Sequence, residues 1–319
     1  MPSFLSEGEH VSLGTTAIFK RCVDALKNHK AFAAGAFDEY CNTFVSNLER
    51  FRLSNINGEF DDAVIKSIDE FLPFRNEILQ LVIVIAQYSP TEEFIRRIHR
   101  FFENMIPYLN RPQHILQWSD RNADNFVFII HELFLYSLAV LMKYDRLEQA
   151  NYLLEQDYYI PDSSEYRGDV MSSFLVFRRN MNSLITRNKR LNLRRLSIRA
   201  DLLNERCKGT GIEFRYLMQA DFIVFIRAEL IINGAFLPWF PDTLLYLNQH
   251  SNSPFEVFAR SVSKAYFDRV KVLLTVGTPK DLDPLLKSYK DRSRRLPRWD
   301  FESIEPEILL GYEKLATRP

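Results

Sequence analysis

Between Phe126 and Met142 every residue is apolar except His131, Glu132 and Ser137. A helix that is apolar on all sides must be surrounded by protein or by lipid. The run falls just short of a membrane span of about 20 residues, and it carries an ionisable pair at its middle. It reads as the buried central helix, Asn122–Lys143, of a protein whose other elements must pack around it.

Composition agrees. Of 319 residues, 46% are apolar and 26% charged, ordinary values for a globular chain. Twenty-six Phe and fourteen Tyr promise an aromatic core, and only ten Gly disfavour turn-dense sandwiches and glycine-cradled phosphate sites. Three scattered cysteines, Cys22, Cys41 and Cys207, show no metal or disulfide spacing. The start, MPSFLSEGEHVSL, lacks a basic segment followed by an apolar run, so a signal peptide is not expected and a cytoplasmic protein is.

Apolar residues at 3–4 spacing predict helices over Thr15–His29, Phe37–Phe51, Asp61–Leu72, Phe74–Gln87 and Asp145–Tyr158. Ser89-Pro90-Thr91-Glu92-Glu93 is a helix start, with Pro and acids in the first turn. In the second half, Lys208-Gly209-Thr210-Gly211 ends a helix over Asp201–Cys207. Phe222–Ile226 and Thr243–Leu247 read as short strands, although a helix over 213–232 is nearly as good. Phe255–Val276 and Asp281–Arg292 read as helices. The expected fold is mainly α: a helical region over 1–165, net acidic, and a smaller basic α+β region over 166–319 with a short two-stranded or small sheet, either separate or packed on the first as one unit. Ile160–Asp169, with Pro161, Asp162 and Gly168, is the expected boundary.

Several chemistries lack their residues. There is no GxxxxGK[ST], no GxSxG, and Gly209-Thr210-Gly211 misses the third glycine of a dinucleotide loop. His131-Glu132 begins like a zinc helix, but Leu135 stands where the second His belongs. Glu7, Glu9 and His10 are a weak metal set, and neither a metal nor a cofactor is expected. The spacing from Arg121 to His131 is too long for the Arg–His pair of HEPN-type helical ribonucleases. Arg121, His131 and Glu132 remain as a candidate acid–base group. Adjacent helical positions point about 100° apart, so His131 and Glu132 more readily take buried structural partners.

Charge is the stronger lead. The chain is neutral, yet residues 1–177 hold 16 basic against 25 acidic residues, net −9, and residues 178–319 are net +9. Two clusters carry the positive charge. In 178–208, Arg187, Arg190 and Arg194 fall on one helical stripe, with Arg199 further on, while Leu184, Leu191, Ile198 and Leu202 fall on another. Arg195 projects onto the apolar stripe, which predicts a helix break near Asn192 and a new cap at Ser197. In 287–298, Arg292, Arg294, Arg295 and Arg298 interleave with Tyr289 and lead into Trp299. Arginine forks suit phosphates and carboxylates. Phe236, Trp239 and Phe240, in an apolar loop with two prolines, are a candidate partner-contact patch.

These features favour a non-catalytic binding or assembly protein. Its basic half would contact nucleic acid or an acidic protein surface, the latter including the chain's own acidic half in the same or a second copy. The alternative is a nuclease or toxin-like hydrolase of a microbial defence or toxin–antitoxin system, its site assembled from distant residues.

Overall fold

The fold is organised around α6 (Asp124–Lys143), whose side chains from Asp124 to Met142 are all buried. The computed structural model describes residues 16–54, 56–112, 118–161, 170–232, 237–250, 253–299 and 302–319. Five helices precede α6: α1 (Thr16–Lys27), α2 (Ala33–Asn47), α3 (Phe60–Glu70), α4 (Leu72–Tyr88) and α5 (Glu92–Met105). After it come α7 (Leu147–Glu155), α8 (Asn182–Arg190), α9 (Ile198–Arg206) and α10 (Phe214–Ile231). The rest are α11 (Leu247–His250), α12 (Glu256–Arg260), α13 (Lys264–Leu274), α14 (Asp283–Lys290) and α15 (Pro306–Leu310). Two antiparallel hairpins complete the described residues. β1 (Tyr158–Tyr159) pairs with β2 (Met171–Ser172), and β3 (Arg298–Trp299) pairs with β4 (Glu302–Ser303). The fold is therefore mainly α with minimal sheet.

By length and composition, the helical segment Asp120–Lys143 could cross a membrane, but its most apolar 18 residues are all buried inside the protein. α4 and α10 flank α6, and one cluster of buried side chains runs from Cys22 to Leu315. The three cysteines are buried and free. α5 begins after Thr91 with Glu92 and Glu93 in its first turn; it buries Phe94, Ile98, Phe101 and Phe102 while Arg96 and Arg100 face out. Asn192 is left-handed (φ 50°) beyond the end of α8, and Ser197 caps α9 by accepting from the Ala200 N–H at 3.1 Å. The predicted break and the predicted cap thus fall where the residues required them.

Three local expectations are corrected. Phe222–Ile226 is the middle of α10, not a strand: the helix is buried on every side, which erases the 3.6-residue pattern that would have identified it. Thr243–Leu247 is not a strand either; Asp242–Tyr246 is a 3₁₀ turn held by Asp221 of α10, which accepts from the Thr243 N–H at 3.0 Å and its hydroxyl at 2.8 Å. Phe255–Val276 is two helices, α12 and α13. The C-terminal tail takes the carbonyls between them: Ala316 N–H donates to Ser261 O (2.8 Å) and Arg318 N–H to Val262 O (2.9 Å). Residues 162–169, most of the expected boundary, lie outside the described residues, as do Phe236 and the Glu7, Glu9 and His10 set.

Candidate functional site

The candidate acid–base group does not assemble. Arg121 is exposed in the turn before α6, its guanidinium 5.2 Å from the Phe60 ring centroid. His131 lies about 15 Å further along the helix. Glu132 is clamped: its carboxylate accepts from Arg206 Nε at 2.8 Å and Nη2 at 2.9 Å, and from Arg75 Nη1 at 3.4 Å. No reacting atom can reach it without breaking that clamp. His131 is fully buried, 5.4 Å from the Trp239 ring, and neither ring nitrogen has a hydrogen-bond partner among the described residues. Burial, with Arg199 and Arg178 nearby, holds its pKa well below 6.5, so the ring is neutral. Among the described residues no group of three His, Cys, Asp or Glu side chains could hold a metal ion.

The first basic cluster largely turns inward. Arg187 and Arg190, in the last turn of α8, face Asp61 and Asp62 in the first turn of α3. Arg190 donates to Asp61 through Nη2 (2.7 Å) and Nε (3.1 Å) and to Asp62 at 2.8 Å; Arg187 pairs with Asp62. Each pair also complements its helix dipole, acids at an N-terminus and bases at a C-terminus. The hydrogen bond from Arg187 is the main cause that lowers the exposed Asp62 carboxyl below its ordinary pKa. Arg195, which the sequence placed awkwardly, forms a fork to Asp201 at 2.7 and 2.8 Å. Arg199, expected on the outward surface, is only 5% exposed; the chain re-enters the core after Ser197 and carries it inward. Its Nη2 donates to Arg179 O at 2.6 Å, and burial lowers its pKa to about 9. Arg194 stays exposed in a left-handed conformation (φ 53°).

Arg199 belongs to the floor of a cleft of about 570 Å³ between α8, α9 and the Pro241 turn. Asp242 holds that floor together: Arg178 Nη2 donates to it at 2.7 Å and the Ser197 hydroxyl at 3.0 Å. Beneath it, Asp221 accepts from Trp239 Nε1 at 2.7 Å and from Thr243; burial raises its pKa to about 6. Trp239, expected in a contact patch, is therefore a core residue with no exposed surface. Phe240 beside it is half-buried and lines the cleft, with Leu184, Ile185, Leu196 and Trp299.

The second basic cluster faces out. Arg294 is tied to Glu229 at 3.3 Å, as is the Tyr289 hydroxyl at 3.1 Å. Arg292, Arg295 and Arg298 are exposed, and among the described residues they make no ion pair or side-chain hydrogen bond. Asp291, next to Arg292, accepts from the Ser293 N–H at 3.0 Å. These three arginines line a groove of about 890 Å³ with Leu237 and Leu296. Leu237 and Arg298 also line the cleft, so groove and cleft are neighbours. The aromatics interleaved with this cluster are not surface platforms: Tyr289 is 8% exposed and Trp299 6%, its ring packed edge-on against Phe240 at 5.4 Å.

Sequence reasoning missed the cleft itself. Its walls come from 178–199, 237–242 and 298–299, and of these only Phe240, Arg199 and Arg298 are candidate site residues in the sequence. No protein-family model, curated protein or solved structure matches this chain.

Proposed function

We propose that this is a non-catalytic binding protein that takes an anionic partner in the Arg292–Arg295–Arg298 groove. One observation carries the reading: three exposed guanidinium groups share a groove and have no carboxylate of their own among the described residues. Two of the eight arginines singled out in the sequence, Arg187 and Arg190, already spend their charge on α3. Arg292 is left-handed (φ 61°) just beyond α14, as are six other non-glycine residues among those described, and costs about 1–2 kcal/mol relative to a right-handed residue.

The chain's overall neutrality does not oppose this. Screening over about 8 Å at physiological salt confines an anion's view to the local groove. The test is binding of labelled heparin across a salt series. Affinity that falls steeply with salt, and that Arg295→Ala weakens, supports the groove; no binding at low salt overturns it.

A further inference from the structure

We infer that the partner is a protein segment in which a large apolar side chain stands beside a run of acidic residues. This rests on the anion-binding reading of the same groove and decides what bears the negative charge.

The groove does not end at its arginines. Leu237 and Arg298 are shared with the neighbouring cleft, whose lining includes the aliphatic Leu184, Ile185, Leu196 and Ile198. Ile185 is 53% exposed and Leu196 51%. Leu191 and Leu193, on the elbow between α8 and α9, are each 40% exposed. Isolated exposed leucines need no explanation, but Ile185 and Leu196 both line the cleft, with Leu191 and Leu193 on the adjoining elbow, and such a group marks a contact surface.

Single-stranded nucleic acid needs two things of a surface: cations for its phosphates and exposed ring faces for its bases. The first is here; among the described residues of groove and cleft the second is not. Tyr289 and Trp299 are buried, and Phe240 is half-buried with Trp299 packed against it. A strand laid in the groove would pair its phosphates and find, among the described residues that line it, no exposed ring to stack on. A peptide with a Leu, Ile, Phe or Trp anchor loses apolar surface to Ile185 and Leu196. Its carboxylates meanwhile meet Arg292, Arg295 and Arg298, whose planar forks bind a carboxylate through two parallel bonds. Arg298 lines both hollows, so anchor and acids would be close neighbours in the partner's sequence.

The experiment is a selection of displayed random linear peptides on the full chain, with labelled single-stranded RNA and heparin titrated in parallel. Enriched peptides should pair a large apolar residue with adjacent Asp or Glu. Leu196→Ser, at a half-exposed position, should weaken them about tenfold while leaving heparin binding unchanged. Arg295→Ala should weaken both ligands. Selected peptides without an apolar anchor, indifference to Leu196→Ser, or RNA bound more tightly than any selected peptide would overturn the inference and leave the anion groove standing. If peptides, RNA and heparin all fail to bind at low salt, both readings fall.

Discussion

Glu132, in the middle of the central helix, and Arg206, at the end of α9, are joined by two parallel hydrogen bonds of 2.8 and 2.9 Å with no solvent access to the carboxylate. The pair ties the acidic half to the basic half. Arg75 of α4 joins it, 3.4 Å from Glu132, and donates to the Arg206 carbonyl at 2.9 Å. A buried pair broken from one side leaves an uncompensated charge and costs about 3–5 kcal/mol. Glu132→Ala, which strands two arginines, should destabilise most. Arg206→Met should follow, and Arg75→Met should cost least because Glu132 keeps its fork to Arg206. Urea denaturation of the three variants gives the order.

His131→Leu should be neutral or stabilising. The ring has no hydrogen-bond partner among the described residues, and a buried unsatisfied polar group costs about 1–3 kcal/mol. The sign with pH is fixed by its lowered pKa. Below about 6.5 the unfolded chain takes up a proton that the folded ring refuses, so wild-type stability falls as pH drops. The gain from His131→Leu should therefore be larger at pH 5 than at pH 7. A loss of stability at both would contradict the placement.

Asp221 acts in the opposite direction. Its folded pKa of about 6 lies above the ordinary 3.8. Between these values the folded state holds a proton that the unfolded state has released, so stability falls as pH rises from about 4 to about 6. Above that range the penalty is constant at about 3 kcal/mol. Asp221→Asn should remove that slope. It should also destabilise near pH 4.5, because an amide places a donor against Trp239 or Thr243. Denaturation at pH 4.5 and 7 separates the two effects.

Arg292→Gly tests the strained position cleanly. Glycine suits the left-handed backbone, so thermal stability should stay level or rise by up to about 1 kcal/mol. Heparin affinity should fall, because one of three free guanidinium groups is gone. A fall in stability would show that Arg292 has an intramolecular partner after all.

What could be read in the sequence divides by physical cause. Amphipathic helices such as α5 show themselves because one side is wet. The break at Asn192 and the cap at Ser197 show themselves because Arg195 would otherwise sit among leucines. α10 is legible only as the alternative to a strand, the helix over 213–232, because a helix buried all round carries no period and Phe222–Ile226 is β-branched and aromatic. The fate of the arginines hides for another reason. Composition shows that Arg187 and Arg294 are charged, but their partners, Asp62 and Glu229, are distant in the chain, and only the packing of α3 on α8 and of α14 near α10 brings them together. Arg295 and Arg298 look no different in sequence and end with no partner among the described residues.

The most direct test of the account compares two single arginines, Arg295→Ala and Arg187→Ala, in heparin binding across a salt series. Arg187→Ala leaves Asp61 held by Arg190, so the fold survives the comparison. The account predicts that Arg295→Ala flattens the dependence of log affinity on log salt by roughly one third, one of three contacts, while Arg187→Ala leaves it unchanged. Equal flattening by both, or flattening by Arg187→Ala alone, would contradict the assignment of the second basic cluster as the outward anion site.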